Sequence, residues 1–235
     1  MRLKNRPCIY CGARPAGSVD HVPPEGFFPR PRPKNLITVP CCRSCNQQFS
    51  LDDQYARTLI AFRQDVALQP KLIQLRQSTV ASLERPTNQA FRKMLAENLH
   101  YVPVRLPSGV VTAPQPILFH TRERLVEWLR RIFRGLHYHE IGVSAPDDFE
   151  IDVTLGDEHP GFLTQVVQWC RSRDHRVIGE GMFEYQWMPV PDRPEASIWW
   201  IEFYRCLAVA GFIHPRLTTK EREASRQRRA GDSAA

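Results

Sequence analysis

The hydrophobic pattern divides the chain into a first segment with little periodicity and a longer remainder that predicts regular structure. Residues 1 to about 50 are rich in Pro, Gly, Cys and Arg, and packing alone can hardly fold so short a segment of this composition. Prolines then punctuate three stretches with helical character. These stretches predict helices at residues 51–68, 71–84 and 86–99.

Strands enter the pattern at about residue 100. A hairpin is predicted from residues 101–106 and 110–113, which flank Pro107-Ser108-Gly109. Thr121 can then cap a long helix, because the apolar residues that follow it recur with a period of 3.6. That apolar stripe consists of Leu125, Leu129, Ile132, Phe133 and Leu136.

The C-terminal third alternates between strands and one helix. Apolar and polar residues alternate at 149–155 and at 183–187, which predicts strands with one buried face. Residues 198–209 are apolar almost throughout and predict one central strand. A helix is predicted near residues 161–173, between these strands.

Together these elements predict an α+β fold. With 235 residues, 42% of them hydrophobic, the chain can bury a sizeable core. We expect an N-terminal module at 1–60, a helical connector at 61–100 and an α+β domain at 101–215. The charged tail at 216–235 is expected to be a frayed helix or disordered.

The distribution of apolar residues and cysteines bears on the compartment. No run of about 18 apolar residues occurs, and no apolar segment follows the first residues as in a secretory signal. A cytoplasmic protein that does not enter a membrane is therefore expected. Cys41, Cys170 and Cys206 have no regular spacing, and we expect reduced thiols rather than a disulfide framework.

Four other cysteines form the strongest motif. Cys8 and Cys11 make one C-x2-C pair, and Cys42 and Cys45 make a second one, with thirty residues between the pairs. Each spacing lets two thiolates bind the same tetrahedral ion, so the four predict a closed, structural Zn²⁺ site. Cys41 competes with Cys42, but it would give the less usual C-x3-C spacing, and we assign Cys42 as the ligand.

Charge adds a class of partner. The formal net charge is +7, and the first 43 residues contain eight basic residues against Asp20 and Glu25. Such an excess attracts the phosphate backbone without reading its sequence, so nucleic acid is the expected partner, DNA more than RNA.

Between and beside the two cysteine pairs stand Asp20-His21, Asn35-Leu36 and Asn46. In this order the chain resembles the HNH, or His-Me finger, endonucleases, particularly the zinc-bearing branch that includes phage endonuclease VII. The resemblance covers about residues 6 to 55 and implies a ββα-metal, treble-clef-like module. It further implies that Asp20 and Asn46 hold a divalent cation, that His21 is the general base, and that Asn35 orients His21.

The residue types suit that chemistry. A carboxylate and an amide offer hard oxygen ligands for Mg²⁺ or Mn²⁺. A histidine imidazole exchanges protons near neutral pH and can take one from an attacking water. On an extended segment the adjacent side chains of Asp20 and His21 point to opposite sides, so each can serve a different role.

Several other groups have two interpretations. Asp52 and Asp53 could add a metal ligand, but we favour their being acids in the first turn of a helix that complement its dipole. The arginines of the Thr121 helix could contact phosphates, although a solvated face is favoured; they are Arg122, Arg124, Arg130, Arg131 and Arg134. The C-terminal aromatics could stack on bases, but a core role is favoured; they are Trp187, Trp199, Trp200, Phe203 and Tyr204.

The leading functional hypothesis is a metal-dependent endonuclease that hydrolyses phosphodiester bonds. The alternative is a non-catalytic zinc module that binds nucleic acid or protein. A third hypothesis makes cleavage conditional, controlled by the C-terminal domain or by a regulatory or immunity protein. The sequence does not indicate the oligomeric state.

Overall fold

The computed structural model describes residues 6–63, 70–105, 108–191 and 193–216. It mixes helix and sheet and so confirms the α+β class at that level. The predicted tail from residue 217 onward lies outside the described residues. No helix in the described ranges is both long and apolar enough to cross a membrane.

The N-terminal segment folds as a hairpin followed by a helix. Strand β1 (Ser18–Val22) pairs antiparallel with β2 (Ile37–Cys41), with Asp20 opposite Val39 and His21 opposite Thr38. A 3-10 turn, Glu25–Phe27, lies in the connection between them. Helix α1 (Arg43–Ala61) starts directly after β2, so the order of elements is strand, strand, helix.

Helix α1 differs from the prediction at both ends. It begins eight residues before the predicted start at 51 and ends at Ala61. Its first turns are polar and contain cysteine, so hydrophobic periodicity could not show them. The helix begins there because the Cys42 thiol caps it by accepting from the Cys45 amide. Asp52 and Asp53 therefore lie in mid-helix, and their interpretation as first-turn acids is wrong.

The next elements follow the sequence more closely. Helix α2 (Pro70–Leu83), the 3-10 turn Pro86–Asn88 and helix α3 (Gln89–Glu97) confirm the second and third predicted helices. The predicted hairpin exists, but its strands lie farther from the turn: β3 (Leu99–Val102) pairs with β4 (Gln115–Leu118). Nearer the turn, Arg105 and Val111 form an isolated bridge, and the Thr112 amide donates to the Val104 carbonyl over 2.9 Å.

A five-stranded antiparallel sheet forms the second half, in the order β5-β9-β8-β7-β6. Its strands are β5 (Phe149–Leu155), β6 (Arg176–Ile178), β7 (Phe183–Val190), β8 (Arg193–Phe203) and β9 (Leu207–Pro215). The predictions at 149–155 and 183–187 are confirmed.

The single strand predicted at 198–209 is wrong, because the chain turns back at residues 204–206. No Gly, Pro or Asn marks this turn. Instead Tyr204 and Arg205 adopt left-handed backbone conformations, with φ of 53° and 54°. The Tyr204 hydroxyl donates to the Phe27 carbonyl and thereby ties this turn to the N-terminal segment. Such a long-range contact leaves no local pattern in the sequence.

Helix α4 (Arg122–Ile141) lies between the N-terminal unit and the sheet. The predicted stripe is confirmed, since all five of its apolar residues are buried. Gly135 lies on the side facing β1, where an added Cβ would meet Val22 Cγ2 at 2.6 Å. Phe133 instead packs on the sheet, where a Cβ at Gly211 would meet its ring at 2.5 Å.

Helix α5 (Pro160–Cys170) covers the opposite face of the sheet and confirms the predicted helix there. Alternate residues of β8 enter the two layers: Trp199 faces α4 and Trp200 faces α5. The aromatics of these strands are therefore core residues rather than a base-stacking platform; Trp199, Trp200, Phe203 and Tyr204 are buried, and Trp187 is partly buried.

One hydrophobic core joins the two halves. The same cluster contains Ile9 and Val22 from the N-terminal segment, Leu129 from α4 and Ile213 from the sheet. The Phe27 ring stacks on Trp128 with centroids 5.2 Å apart, which extends the contact with α4. The segment that composition marked as too poor to fold alone thus gains apolar partners from the rest of the chain.

Candidate metal centre and adjacent cleft

Four thiols meet at the start of α1. The Sγ atoms of Cys8, Cys11, Cys42 and Cys45 all lie within 4.8 Å of one another, and those of Cys11 and Cys42 are 4.0 Å apart. Sulfurs bound tetrahedrally to zinc at about 2.3 Å lie about 3.8 Å apart. This thiolate cluster can therefore hold a structural zinc ion with only small adjustments.

Local backbone geometry places each pair. Cys8 and Cys11 bracket a turn in which the Gly12 amide, at a left-handed φ of 62°, donates to the Cys8 carbonyl over 2.9 Å. The second pair lies at the β2–α1 junction, where the Cys45 amide donates to Cys42 Sγ over 3.4 Å. That amide lowers the pKa of the Cys42 thiol to about 6, whereas burial raises the pKa of Cys45.

Cys41 lies beside the cluster but outside it. Its thiol donates to the Cys42 carbonyl over 3.3 Å, and burial raises its pKa. The four grouped residues include Cys42 and not Cys41. The choice between the two cysteines made from their spacing is therefore confirmed.

A cleft of about 290 Å³ opens next to the cluster, and its lining includes Asp20, His21 and Asn46. Asp20 and His21 come from β1, and Asn46 lies in the first turn of α1, directly after the cysteine pair. We call this opening the Asp20 cleft. The structure thus brings together three of the four residues that the sequence singled out around the cysteines.

Asn35 is not among the residues that line the Asp20 cleft. Its side chain is exposed, and its amide donates to the Val177 carbonyl on β6 over 3.0 Å. It lies in the connection ahead of β2, which runs out toward the sheet. Asn35 therefore stabilises the contact between the two halves, and the structure does not bring it to His21.

Asp20 is held by partners on both sides. It is 5% exposed, and its Oδ2 accepts from the Tyr10 hydroxyl over 2.7 Å. The same oxygen lies 3.7 Å from Nη1 of Arg131 on α4. Burial, and after it the negative charge of Asp20, raise the pKa of Tyr10. Tyr10 therefore remains a donor to the carboxylate.

Asn46 is anchored through its amide nitrogen. Nδ2 donates to the Val19 carbonyl over 3.3 Å and lies 3.5 Å from Ser18 Oγ. Both acceptors belong to β1, so these contacts fasten the first turn of α1 to the strand that carries Asp20 and His21. They also leave Oδ1 as the atom that Asn46 can offer to a ligand.

Asp53 also belongs to this site, although its sequence favoured a first-turn acid over a metal ligand. It lines the Asp20 cleft, and its Oδ1 accepts from Arg131 Nη2 and, over 2.9 Å, from Trp128 Nε1. Burial raises its pKa to about 6, against the opposing effect of Arg131. Its seven-residue spacing from Asn46 places both on one face of a helix, a signal that is visible only if the helix starts near residue 43.

Arg131 fits neither interpretation of the α4 arginines, because it is 8% exposed and its Nη1 is buried without a hydrogen-bond partner. Its guanidinium stacks over the Phe49 ring at 4.3 Å. Three other arginines of that face pair with acids of the chain: Arg122 with Glu158, Arg124 with Asp52 and Arg130 with Glu127.

The carboxylates of the Asp20 cleft already have basic partners. Three of them line it, those of Asp20, Glu25 and Asp53, together with the guanidinium of Arg57. Arg131 lies against Asp20 and Asp53, and Arg32 pairs with Glu25 over 2.6 Å. A divalent cation would therefore compete with these guanidinium groups for the carboxylates.

The two candidate sites differ in how complete they are. Within the described ranges, the thiolate cluster is the one group of three or more His, Cys, Asp or Glu residues with ligand atoms within 4.8 Å of one another. The guanidinium of Arg131, which lines a separate opening, lies between the Asp20 and Asp53 carboxylates. Comparisons with protein-family models, with curated proteins and with solved structures found no match.

Proposed function

We propose that the protein is a metal-dependent endonuclease of the HNH type that hydrolyses phosphodiester bonds of nucleic acid. The observation that carries this proposal is the meeting of Asp20, His21 and Asn46 in one cleft, on a strand-strand-helix unit whose helix begins at a four-thiol cluster. A carboxylate, an imidazole and an amide are together enough for metal-assisted hydrolysis.

The thiolate cluster has a structural role in this proposal. Four thiolates fill the coordination shell of zinc, so such an ion activates no water. Zinc would fix the turn before β1 against the β2–α1 junction, because Cys8 and Cys11 belong to the first and Cys42 and Cys45 to the second. Asp20 follows the first of these segments in sequence and Asn46 follows the second. The zinc ion would therefore help to set the distance between Asp20 and Asn46.

Asp20 and Asn46 would hold the second cation, Mg²⁺ or Mn²⁺, through oxygen atoms. The fit rests on the hard oxygen donors of the carboxylate and the amide. When bound, such an ion polarises the scissile phosphate and stabilises charge on the leaving oxygen. Tyr10 and the backbone carbonyl of Val19 keep the Asp20 and Asn46 side chains in fixed orientations.

His21 would take the proton from the attacking water. It is partly exposed and lines the cleft, so water can reach the imidazole. Arg57, which also lines the cleft, would contact a phosphate oxygen once a cation has entered. DNA is the favoured substrate, since the basic residues of the first 43 positions offer contacts to a phosphate backbone without base readout.

A plasmid-nicking assay with Mg²⁺ or Mn²⁺ tests the proposal. His21→Ala is expected to lower the cleavage rate by a factor on the order of 10² to 10⁴, the usual contribution of a general base. His139→Ala, on an exposed position of α4, is the matched control and should cleave like the wild type. Zinc content and the thermal unfolding curve show that each variant is folded.

Equal cleavage by wild type and His21→Ala would reject the assignment. The second candidate function, a zinc module that binds nucleic acid without cutting it, is favoured by one observation: Asp20 already has two partners, Tyr10 and Arg131. Salt-dependent DNA binding by a wild-type protein that cleaves nothing with either cation would support that alternative.

A further inference from the structure

We propose that Asp53 is a further ligand of the divalent cation in the Asp20 cleft, and that Arg131 occupies the position between Asp20 and Asp53 until the cation displaces it. The inference rests on the proposed function and names two residues that control metal binding there. It is carried by the Asp20–Arg131–Asp53 bridge and by the incomplete hydrogen bonding of its members.

The carboxylates of Asp20 and Asp53 share one positive group, the guanidinium of Arg131. Arg131 Nη1 lies 3.7 Å from Asp20 Oδ2, and Nη2 contacts Asp53 Oδ1. The Asp20 and Arg131 side chains are more than nine-tenths buried, and that of Asp53 is 22% exposed. Two carboxylates with so little exposure to solvent repel each other strongly unless a cation lies between them.

Three side-chain oxygen atoms near this bridge are available to a cation. The hydrogen bonds and ion pairs of Asp20 fall on Oδ2, those of Asp53 on Oδ1, and those of Asn46 on Nδ2. Within the described residues, Asp20 Oδ1, Asp53 Oδ2 and Asn46 Oδ1 therefore have no hydrogen-bond partner. All three residues line the same cleft, and two carboxylates with one amide form a ligand set that Mg²⁺ and Mn²⁺ accept.

Arg131 lacks one of its hydrogen bonds in its present position. Its Nη1 is buried and donates to no acceptor in the described structure, which is a costly state for a guanidinium nitrogen. Arg131 also lines a second opening of about 590 Å³, together with Tyr10 and Phe49. The side chain can therefore move away from the two acids into a space it already borders while keeping its contact with the Phe49 ring.

Titration with Mn²⁺, followed by the electron paramagnetic resonance signal of the free ion, tests the inference on full-length zinc-loaded protein. Asp53→Asn is expected to raise the Kd for Mn²⁺ at least ten-fold, because it removes one of two anionic ligands. Asp52→Asn is the matched control, since its carboxylate pairs with Arg124 outside the cleft, and its Kd should equal that of the wild type.

Arg131→Gln tests displacement separately. If the cation must replace the guanidinium, this variant binds Mn²⁺ several-fold more tightly than the wild type. Its melting temperature without Mn²⁺ falls, because two buried acids lose their counter-charge, and Mn²⁺ restores more of the loss than it adds to the wild type. Equal or weaker Mn²⁺ binding by folded Arg131→Gln would overturn displacement.

Asp20→Asn separates the two levels of failure. If it abolishes Mn²⁺ binding while Asp53→Asn leaves the Kd unchanged, the inference is wrong and the proposed nuclease site stands. If the wild type binds no Mn²⁺ that depends on Asp20, both fail. Should Asp53→Asn not fold, as judged by zinc content and circular dichroism, Asp53→Glu replaces it, and an unchanged Kd in that variant together with unchanged binding by Arg131→Gln rejects the inference.

Discussion

The thiolate cluster and the Asp20 cleft lie side by side but are built in different ways. The cluster draws its four ligands from two short turns, and their sulfurs already lie within bonding range of one ion. The cleft draws on β1, α1 and, through Arg131 and Trp128, on α4. One site is local and complete, whereas the other depends on packing across the whole chain and contains a guanidinium between its acids.

The largest effect is expected from losing the thiolate cluster. Cys42→Ser, or removal of zinc with a strong chelator, should unfold the N-terminal unit, since structural zinc contributes on the order of 10 kcal/mol in small zinc domains. The measurement is zinc content together with the far-ultraviolet circular dichroism melt. Cys206→Ser, at a thiol outside the cluster, should retain one zinc ion per chain.

A stable, zinc-free Cys42→Ser protein would contradict this prediction, because it would show that the core shared with α4 stabilises the N-terminal unit without any metal. In that case the cluster would be no more essential than the other cysteines. Retained cleavage activity in the same variant would also remove the structural role proposed for the thiolates.

A smaller effect is expected at Phe27, which belongs to the cleft and not to the cluster. Its side chain is 1% exposed and stacks on Trp128, so Phe27→Ala should cost about 3–5 kcal/mol. The variant should also weaken Mn²⁺ binding, because Phe27 lines the cleft, while zinc content stays at one ion per chain. Urea unfolding and Mn²⁺ titration measure the two effects.

Phe183→Ala is the control for Phe27. That ring is also fully buried in the same core but does not line the cleft, so it should cost similar stability without a comparable change in the Mn²⁺ affinity of the folded protein. If Phe27→Ala loses zinc as readily as Mn²⁺, the distinction between a local and a long-range site is lost.

The smallest expected effect is a loss of folding stability at low pH, caused by a buried histidine of α4. Burial, and secondarily Arg134, lower the pKa of His137 below its ordinary 6.5. The folded state therefore binds fewer protons than the unfolded state, so this contribution is present above pH 6.5 and is lost as the pH falls toward the lowered value.

Urea unfolding between pH 7.5 and pH 5 measures this loss, and His137→Gln should flatten the curve over that interval. His139→Gln, at an exposed position of the same helix, should leave the curve unchanged. Zinc content is expected to stay constant across the interval in which α4 weakens. A loss of zinc over the same pH interval would instead show that zinc binding and the packing of α4 are coupled.

Local signals allowed the sequence to predict part of this structure. The cysteine spacings, the stripe of the Thr121 helix and the alternation in β5 and β7 each depend on residues close together in the chain. The meeting of Asp20, His21 and Asn46 was also expected, from the resemblance of the order of motifs to that of HNH endonucleases. Their place in one cleft is shown by the structure, and their chemistry remains a proposal.

The missed features depend on contacts distant in sequence. Asp53 was assigned to a helix start because the polar first turns of α1 gave no periodic signal. Arg131 lies among arginines that are mostly at the surface, and only the packing of α4 against β1 shows that it is buried. The turn at Tyr204 is held by the carbonyl of Phe27, which lies 177 positions away.

The bare Cα of Gly135 has a consequence for engineering. It lies one helical turn after Arg131 and allows β1 to approach α4 so closely that even a methyl group would collide with Val22. Excising residues 1–63 would remove the α4 surface that β1 packs against, and fusing them to another scaffold would leave the strand without a fitted support. Transfer of the N-terminal unit to a chimera will therefore require α4 as well, with a glycine at that position.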